Sequence, residues 1–590
     1  MRRGHQNIVP MKLVEAFEIL REEQPVNARS FRARLVCGFT PLHLETFFNA
    51  HLRSIFSDRN VEVTSGLYGD FWGNFERLDT TNTDVALVVL EWSDLDPRLG
   101  LRSLGSWAPS TFPEIIGNAK ARLSLLTNLA ERLSKDIPLV VSFPTLPLLP
   151  ISFSAGWQAS AFDLELRAWI SSVALKMVEI RNVKLVNSER LNQLSPAANR
   201  LDVKSEIASG FPYKLAHAST VADLMSRLII SAPPKKGIIT DLDDTLWNGI
   251  LGEVGAGNIS WDIEHDSQPH GLYQRLLHGL SEAGVLIAAA SKNDPQIVGE
   301  ALEREDLVLP RSALFPVDAH WGPKSESVGR ILKTWNIGAD SVVFVDDSPM
   351  ELAEVSANYP DVECILFPKN DPQALVGLLF RLRDLFGKSV LSEEDAIRRE
   401  SIRSSQKNGA GGVEDHGGNL DEFLAQADAE LTLNFSKEPL DPRALELVNK
   451  TNQFNLNARR YAEAAWDAYL RQTETFLMVV AYKDKYGPLG KIAVIAGRSL
   501  EKTVFVDVWV MSCRAFSRRI EDRCLQELFA RFQAEKIVFD FKATPKNGPT
   551  GEFLARICGA KPEPQCSLSK EQFLSLQIKT SHHVSEVSNG

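Results

Sequence analysis

The chain has 590 residues, of which 44% are hydrophobic and 24% charged, with a net charge of −11. This length and composition predict three or four globular domains, and the acidic balance argues against a nucleic-acid-binding protein. Six scattered cysteines without metal-site spacing favour a reduced, cytoplasmic setting. The sequence shows no apolar leader and no run of about 18 apolar residues, so we expect neither a signal peptide nor a membrane span.

The first region, residues 1–230, alternates strand and helix patterns. Strands are predicted at 33–37, 61–64 and 83–90, and helices follow near 42–56, 115–135 and 161–178. Such alternation is typical of a parallel sheet with helices on both faces.

This region resembles the SGNH-hydrolase-like domain that precedes some phosphotransferase domains. Gly38-Phe39-Thr40 stands where a catalytic Gly-Asp-Ser would follow the first strand, and His217 stands without the usual Asp-x-x-His pattern. One interpretation makes Thr40 or His217 catalytic. We favour the other, a degenerate domain used for binding or docking.

After a linker at 231–236 comes the stretch Gly237-Ile-Ile-Thr-Asp241-Leu-Asp243-Asp244-Thr245-Leu-Trp247. Its apolar beginning predicts a buried parallel strand with Asp241 and Asp243 at the carboxyl end, where open α/β sheets bind ligands. Two residues apart in an extended chain, the carboxylates share a face. Paired carboxylates favour a divalent cation, and Mg²⁺ is the usual choice for oxygen ligands.

Three later segments carry related side chains. A second apolar strand, 285–290, ends in Ser291-Lys292-Asn293-Asp294, Pro323-Lys324 opens a helix pattern, and strand 341–345 runs into Asp346-Asp347-Ser-Pro349. A strand-end hydroxyl can bind a phosphoryl oxygen. Any one segment alone is also typical of a surface turn.

Together, the four segments resemble the motifs of the haloacid-dehalogenase-like (HAD) phosphotransferases. The resemblance implies that Asp241 is the nucleophile and Asp243 the general acid/base. It also implies that Ser291, Lys292 and Lys324 bind phosphate. Finally, the resemblance implies a metal site. The expected Mg²⁺ ligands are Asp241, Asp243, Asp346 and Asp347.

The HAD-like region spans 231–390 and leaves only about twenty residues, 248–268, for a cap. A small cap exposes the site to a large substrate, such as one carried on a protein. Residues 391–420 contain a glycine-rich stretch without a Walker lysine, which predicts a flexible linker.

The last region, 421–568, is followed by an expected flexible tail at 569–590. Predicted strands at 476–482, 492–498 and 504–511 lead into Cys513-Arg514-Ala-Phe-Ser-Arg518-Arg519 and a helix. This order resembles the acyl-CoA binding corner of GNAT acyltransferases, a likeness that implies carrier or pantetheine binding by Arg514, Arg518 and Arg519. Nearby arginines would lower the pKa of a thiol at Cys513 and make it nucleophilic, although most free cysteines are small buried residues.

The fold class predicted for the whole chain is therefore α/β, with a Rossmann-like HAD core between an SGNH-like and a GNAT-like α+β domain. That order resembles the FkbH-like family, on the motifs above together with Asn449-Lys-Thr-Asn-Gln-Phe-Asn-Leu456 and Pro545-Lys546-Asn547. The resemblance implies removal of phosphate from 1,3-bisphosphoglycerate. Cys513 would then carry the glyceryl group to an acyl carrier protein, for polyketide-type biosynthesis.

Two alternatives remain open at this stage. The chain could be a HAD phosphatase of a soluble phosphomonoester, with flanking domains that only position it. It could also be a carrier-protein-binding scaffold with an inactive HAD core. Complete acidic motifs argue against the scaffold.

Overall fold

The structure is a computed structural model, and contacts within it group the chain into two compact units, Met1–Ala232 and Pro233–Gly590. Among the described residues, three separate sheets form, one in the first unit and two in the second. The structure describes residues 10–25, 28–229, 233–388, 428–485, 487–512, 515–516, 518–544, 547–559, 566–578 and 580–587.

The first unit is built on a five-stranded parallel sheet with the order β2-β1-β3-β4-β5. The central strand β3 is buried at every position, as expected for a strand covered on both faces. The strands are β1 (Ser30–Cys37), β2 (Asn60–Ser65), β3 (Val85–Val89), β4 (Leu139–Ser142) and β5 (Val183–Leu185).

Helices pack on both faces of this sheet and form two hydrophobic clusters. The predicted parallel sheet with helices on both sides is therefore confirmed. In the described part of the chain, no helix is both long and apolar enough to cross a membrane. The helices are α1 (Leu13–Arg21), α2 (Leu42–Ile55), α3 (Phe71–Glu76), α4 (Trp92–Leu95), α5 (Phe112–Leu133), α6 (Ala161–Met177), α7 (Ser188–Leu194), α8 (Val203–Ser209) and α9 (Leu215–Ile229).

The second sheet is also parallel, and its order is β10-β9-β6-β7-β8. The strand order reverses between β6 and β9, which is where open α/β sheets place their ligands. The strands are β6 (Gly237–Thr240), β7 (Leu286–Ser291), β8 (Leu314–Ala319), β9 (Val342–Asp346) and β10 (Glu363–Leu366). The helices are α10 (Leu251–Val254), α11 (Gln268–Glu282), α12 (Pro295–Leu302), α13 (Lys324–Trp335), α14 (Pro349–Asn358) and α15 (Pro372–Phe386).

The segment between β6 and α11 is a short flap that contains α10, a parallel bridge between Asp243 and Trp247, and an antiparallel bridge between Asn248 and Ser260. Arg304 fastens the flap by donating to the carbonyls of Ala256 and Ile259, while its guanidinium lies 4.3 Å from the ring centroid of Trp261. The cap is therefore as small as the sequence predicts.

The third sheet is mixed, with the order β17-β16-β15-β14-β13-β11-β18, and β12 pairs with β15. The neighbours β15 and β16 are parallel, and the crossover connection that such a pair requires contains a helix, Ile520–Arg531. The strands are β11 (Glu430–Asn434), β12 (Phe454–Asn455), β13 (Thr475–Asp484), β14 (Gly487–Leu500), β15 (Thr503–Met511), β16 (Lys536–Phe539), β17 (Cys566–Ser569) and β18 (His583–Glu586). The helices are α16 (Pro442–Lys450), α17 (Glu463–Leu470), α18 (Ile520–Arg531), α19 (Gly548–Cys558) and α20 (Lys570–Ser575).

The region after residue 568 differs from the expected flexible tail. It contains α20 and β18, and β18 pairs in parallel with β11, with His583 opposite Glu430. Backbone hydrogen bonds to a strand about 150 residues earlier order this short polar segment. The predicted linker at 391–420 lies outside the described residues.

Candidate active site

Two adjacent strands of the second sheet place three carboxylates together. Thr240 at the end of β6 is in register with Val345 in β9, so Asp241 and Asp346 follow side by side. One oxygen from each of Asp241, Asp346 and Asp347 lies within 4.8 Å of the others. Residues over 100 positions apart in the sequence thus meet at the carboxyl edge, because the two strands are parallel neighbours.

Lys324, the first residue of α13, lies between two of these carboxylates. Its Nζ donates to Oδ2 of Asp346 at 2.6 Å and lies 2.9 Å from Oδ2 of Asp241. All three side chains are at least nine-tenths buried. Burial alone would lower the pKa of Lys324, but the two carboxylates outweigh it and raise the pKa above its usual value.

Burial disfavours the charged forms of Asp241 and Asp346 unless positive charge compensates them. Burial raises the pKa of Asp241 despite Lys324, and the nearby charge of Asp346 raises it further. Burial likewise raises the pKa of Asp346, although the backbone amide of Ser348 donates to its Oδ1 at 2.8 Å. The ammonium group of Lys324 alone therefore does not fully compensate the charges of Asp241 and Asp346.

The three carboxylates fit a divalent metal ion. Oxygen ligands bound to one Mg²⁺ lie about 2.1 Å from it, hence at most about 4.2 Å from one another. The three oxygens lie within 4.8 Å of one another, so side-chain shifts of roughly half an ångström would bring them to that spacing. Asp241, Asp346 and Asp347 are thus the described residues that could hold a hard cation.

Asp243, predicted as a fourth metal ligand, lies outside this group. Its carboxylate accepts hydrogen bonds from Nε1 of Trp247 at 3.0 Å and from Nδ2 of Asn293 at 2.9 Å. Asp243 does not share a face with Asp241 as predicted, because β6 ends at Thr240 and the chain then turns, with Asp244 in the left-handed region at φ 50°. The side chain of Asp243 is oriented by Trp247 and Asn293 and not by the three clustered carboxylates, which are called the metal cluster below.

The end of β7 places one predicted phosphate ligand as expected and another differently. Ser291 is buried, and its hydroxyl accepts from Nδ2 of Asn293 at 3.0 Å, which links it to Asp243 through one amide. Lys292 points to the other side of the strand end, where its Nζ pairs with Glu351 at 2.7 Å. The contact to Glu351 argues against a phosphate-binding role for Lys292.

Lys369 is a site residue that sequence reasoning missed. Its Nζ donates to Oδ2 of Asp347 at 2.5 Å and to Oδ2 of Asp244 at 3.2 Å. It follows β10 in the segment Phe367-Pro368-Lys369. The only available signal was its position just beyond a strand end.

The first unit does not bring its two catalytic candidates into one hydrogen-bonded pair. The hydroxyl of Thr40 donates to the carbonyl of Ser209 at 2.8 Å. His217 is fully buried, with Nε2 2.9 Å from Oγ1 of Thr145 and Nδ1 2.9 Å from Oγ of Ser195. These contacts favour a structural role for both residues, in line with a degenerate domain.

The buried histidine belongs to a continuous relay of hydrogen bonds. The hydroxyl of Thr145 donates to Oε1 of Glu91 at 2.6 Å, so its oxygen accepts a hydrogen bond from Nε2–H of His217. Ser195 then donates to Nδ1, while Tyr213 donates to Glu91 at 2.6 Å. Burial, aided by the charge of Arg200, lowers the pKa of His217 to about 3, so the ring is neutral.

The neutral ring predicts acid sensitivity of the first unit. The pKa of His217 in the folded protein lies below its unfolded value of about 6.5. Its contribution to the free energy of unfolding is therefore complete above pH 6.5 and decreases as the pH falls toward 3. We expect a loss of up to about 1.4 kcal/mol of unfolding free energy per pH unit from this group. Urea unfolding followed by fluorescence should show a flatter pH profile for His217→Gln than for the wild type. An unchanged slope would contradict this role of His217.

The carrier-binding residues predicted in the third sheet are only partly described. Cys513 and Arg514 lie outside the described residues. Arg518 lies 5.6 Å from the ring centroid of Tyr482 and 3.9 Å from a carboxylate oxygen of Asp484. Arg519 precedes α18, whose first turn carries two acidic residues that already complement the helix dipole. Binding of a carrier phosphate at Arg514, Arg518 and Arg519 stays a prediction.

Comparison with known proteins adds one informative likeness. No protein-family model matches the chain, and no curated protein matches it. Among solved structures, the N-terminal part of the protein BF1531 from Bacteroides fragilis, containing a phosphatase domain complexed with Mg, is 20% identical with a TM-score of 0.52. The match covers 64% of this chain and 100% of that one. An apo structure of OtsA also matches, at 8% identity, but its TM-score of 0.14 carries no argument.

The likeness to the BF1531 structure shows a shared fold. The mixed α/β class with parallel sheets is therefore confirmed, in agreement with a Rossmann-like core. The three-domain division and the SGNH-like and GNAT-like resemblances stay predictions.

Proposed function

We propose that the chain is a Mg²⁺-dependent phosphatase or phosphotransferase of the HAD type. The observation that carries this proposal is the cluster of Asp241, Asp346 and Asp347 with a buried lysine at the strand-order reversal. A fold shared with a Mg-complexed phosphatase-domain structure supports it. A bound Mg²⁺ would supply positive charge for the carboxylates and for the phosphoryl oxygens of a substrate.

In the first step, a carboxylate oxygen of Asp241 attacks phosphorus and the bond between phosphorus and the leaving oxygen breaks. Asp243 donates a proton to that oxygen, and its hydrogen bonds to Trp247 and Asn293 keep it oriented. Lys324 and the hydroxyl of Ser291 would contact the phosphoryl oxygens. The product of this step is an aspartyl phosphate on Asp241.

In the second step, Asp243 takes a proton from water as the water oxygen attacks phosphorus. The bond between phosphorus and Asp241 breaks, so inorganic phosphate leaves and the Asp241 carboxylate is restored. Both protons pass through Asp243. This carboxylate lies outside the metal cluster and is therefore available for proton transfer.

The small flap supports a substrate with a large or carrier-bound leaving group. Only α10 and two isolated bridges lie between β6 and α11, so the flap is too short to enclose a pocket by itself. This agrees with the more specific proposal, drawn from the FkbH-like resemblance, that a three-carbon acyl phosphate is processed for an acyl carrier protein.

In that more specific proposal, the thiolate of Cys513 attacks the acyl carbon of the glyceryl phosphate anhydride. The carbon–oxygen bond to the 1-phosphate breaks, inorganic phosphate leaves, and a 3-phosphoglyceryl thioester forms on the cysteine. Hydrolysis of the remaining 3-phosphate ester by the two steps at Asp241 leaves the glyceryl thioester. Transfer to the carrier thiol then regenerates Cys513. Its support is the motif resemblance alone.

The proposed function is tested by phosphate release from 1,3-bisphosphoglycerate and from simple phosphomonoesters. We expect release with Mg²⁺ and none after chelation, with recovery when Mg²⁺ is restored. Release that continues unchanged in the presence of chelator would contradict the metal-dependent mechanism.

The same mixture, with a pantetheinylated carrier added, separates the general proposal from the specific one. Intact-mass analysis should show glyceryl adducts on both proteins, and Cys513→Ala should lose both adducts. If Cys513→Ala charges the carrier at the wild-type rate, the cysteine relay is wrong. Rapid turnover of a free phosphomonoester without carrier would favour a simple phosphatase.

A further inference from the structure

Lys369 connects the metal cluster to the turn that follows β6. Its Nζ lies 2.5 Å from Oδ2 of Asp347 and 3.2 Å from Oδ2 of Asp244. Of these two, Asp347 belongs to the metal cluster and Asp244 does not. Lys369 thus donates directly to one carboxylate of the group that could hold the metal ion.

Asp244 and the backbone that carries Lys369 are both held in place. Asp244 is in the left-handed region at φ 50°, and its Oδ1 accepts from the amide of Gly249 at 2.9 Å. The amide of Phe367, a fully buried residue, donates to the carbonyl of Asp346 at 2.8 Å. The backbone that carries Lys369 is thus tied to the end of β9, beside the metal cluster.

We propose that Lys369 is a positioning residue that orients Asp347 for the metal ion. This inference rests on the proposed function, because it assumes that the carboxylate cluster binds Mg²⁺. Groups that hydrogen-bond to a ligating carboxylate fix its orientation, and their loss costs about 10- to 100-fold in metal affinity.

The opposing effect is repulsion between the ammonium group and the metal ion. Two features weaken this repulsion. Asp244 neutralises the ammonium at 3.2 Å, and the Lys369 side chain is 37% exposed, so water screens its charge. Orientation of Asp347 therefore outweighs repulsion, and removing Lys369 should weaken Mg²⁺ binding.

The test is calorimetric titration of Mg²⁺ into the full chain and its variants, without substrate. Lys369→Met, which keeps the apolar stem and loses the charge, should raise the Kd at least about tenfold. Lys369→Arg should restore most of the affinity, because its guanidinium can also donate to both carboxylates. The control is Lys333→Met on α13, about 13 Å along the helix from Lys324, and it should match the wild type.

A second readout separates positioning from a damaged fold. The kcat of Lys369→Met should return to near the wild-type value at saturating Mg²⁺, because Asp241 and Asp243 are intact. If Lys369→Met binds Mg²⁺ as tightly as the wild type or more tightly, the inference is wrong and the proposed function stands. If the wild type itself binds no Mg²⁺, both fail.

Discussion

Asp241→Asn should reduce phosphate release by at least about 10³-fold, which corresponds to about 4 kcal/mol of transition-state stabilisation. The amide is a poor nucleophile, so no aspartyl phosphate can form on residue 241. The variant should remain folded, because asparagine has nearly the same shape and removes a carboxyl whose pKa burial already raises. Phosphate release under saturating Mg²⁺, with intact-mass analysis after acid quenching, measures both steps.

The matched control for Asp241→Asn is Asp371→Asn. Asp371 caps α15 by accepting from the amides of Gln373 and Ala374, and asparagine caps a helix equally well. The control should therefore keep both activity and stability. Wild-type phosphate release by Asp241→Asn would exclude Asp241 as the nucleophile and would favour a different chemistry at this edge of the sheet.

Lys324→Met should destabilise the HAD-like core most strongly when no metal is present. Removing one partner from a buried ion pair costs about 3–5 kcal/mol, because the remaining charge is left without compensation. Here Asp241 and Asp346 both lose their ammonium partner. A bound Mg²⁺ would replace part of that charge, so the loss should be smaller with Mg²⁺ than with chelator.

Urea unfolding in parallel, with chelator and with Mg²⁺, measures this difference. Lys333→Met serves again as the control, since it removes a lysine from the same helix away from the cluster. An equal loss of stability in the two conditions would show that metal ion and lysine act independently. Activity of Lys324→Met should stay low in both, because the phosphoryl group loses a contact.

The main arrangement of the candidate site followed from the sequence because it depends on one simple rule. Parallel neighbouring strands end at the same edge, so Asp241, Ser291 and Asp346, each at a strand end, were expected to come together there. The structure places them at the ends of β6, β7 and β9. Lys324 was found by its order in the motif series.

The remaining parts depend on geometry that strand patterns do not encode. The orientation of Asp243 differs from the predicted one because β6 ends at Thr240, so side chains no longer alternate between the two faces beyond that residue. Lys369 lies 125 residues from Asp244, and no local pattern joins them. Strand β18 was missed because its polar segment has little strand character until it pairs with β11.

The two lysines at the site also favour one order in which the cation and the phosphate group bind. Lys324 and Lys369 together hold four carboxylates, Asp241, Asp244, Asp346 and Asp347, so the metal-free site is formally short of two positive charges. A single divalent ion supplies that deficit. A phosphate dianion arriving earlier would meet net negative charge, whereas one arriving later meets a neutral site. Cation first and phosphate second is therefore the sequence of association that this edge of the sheet favours.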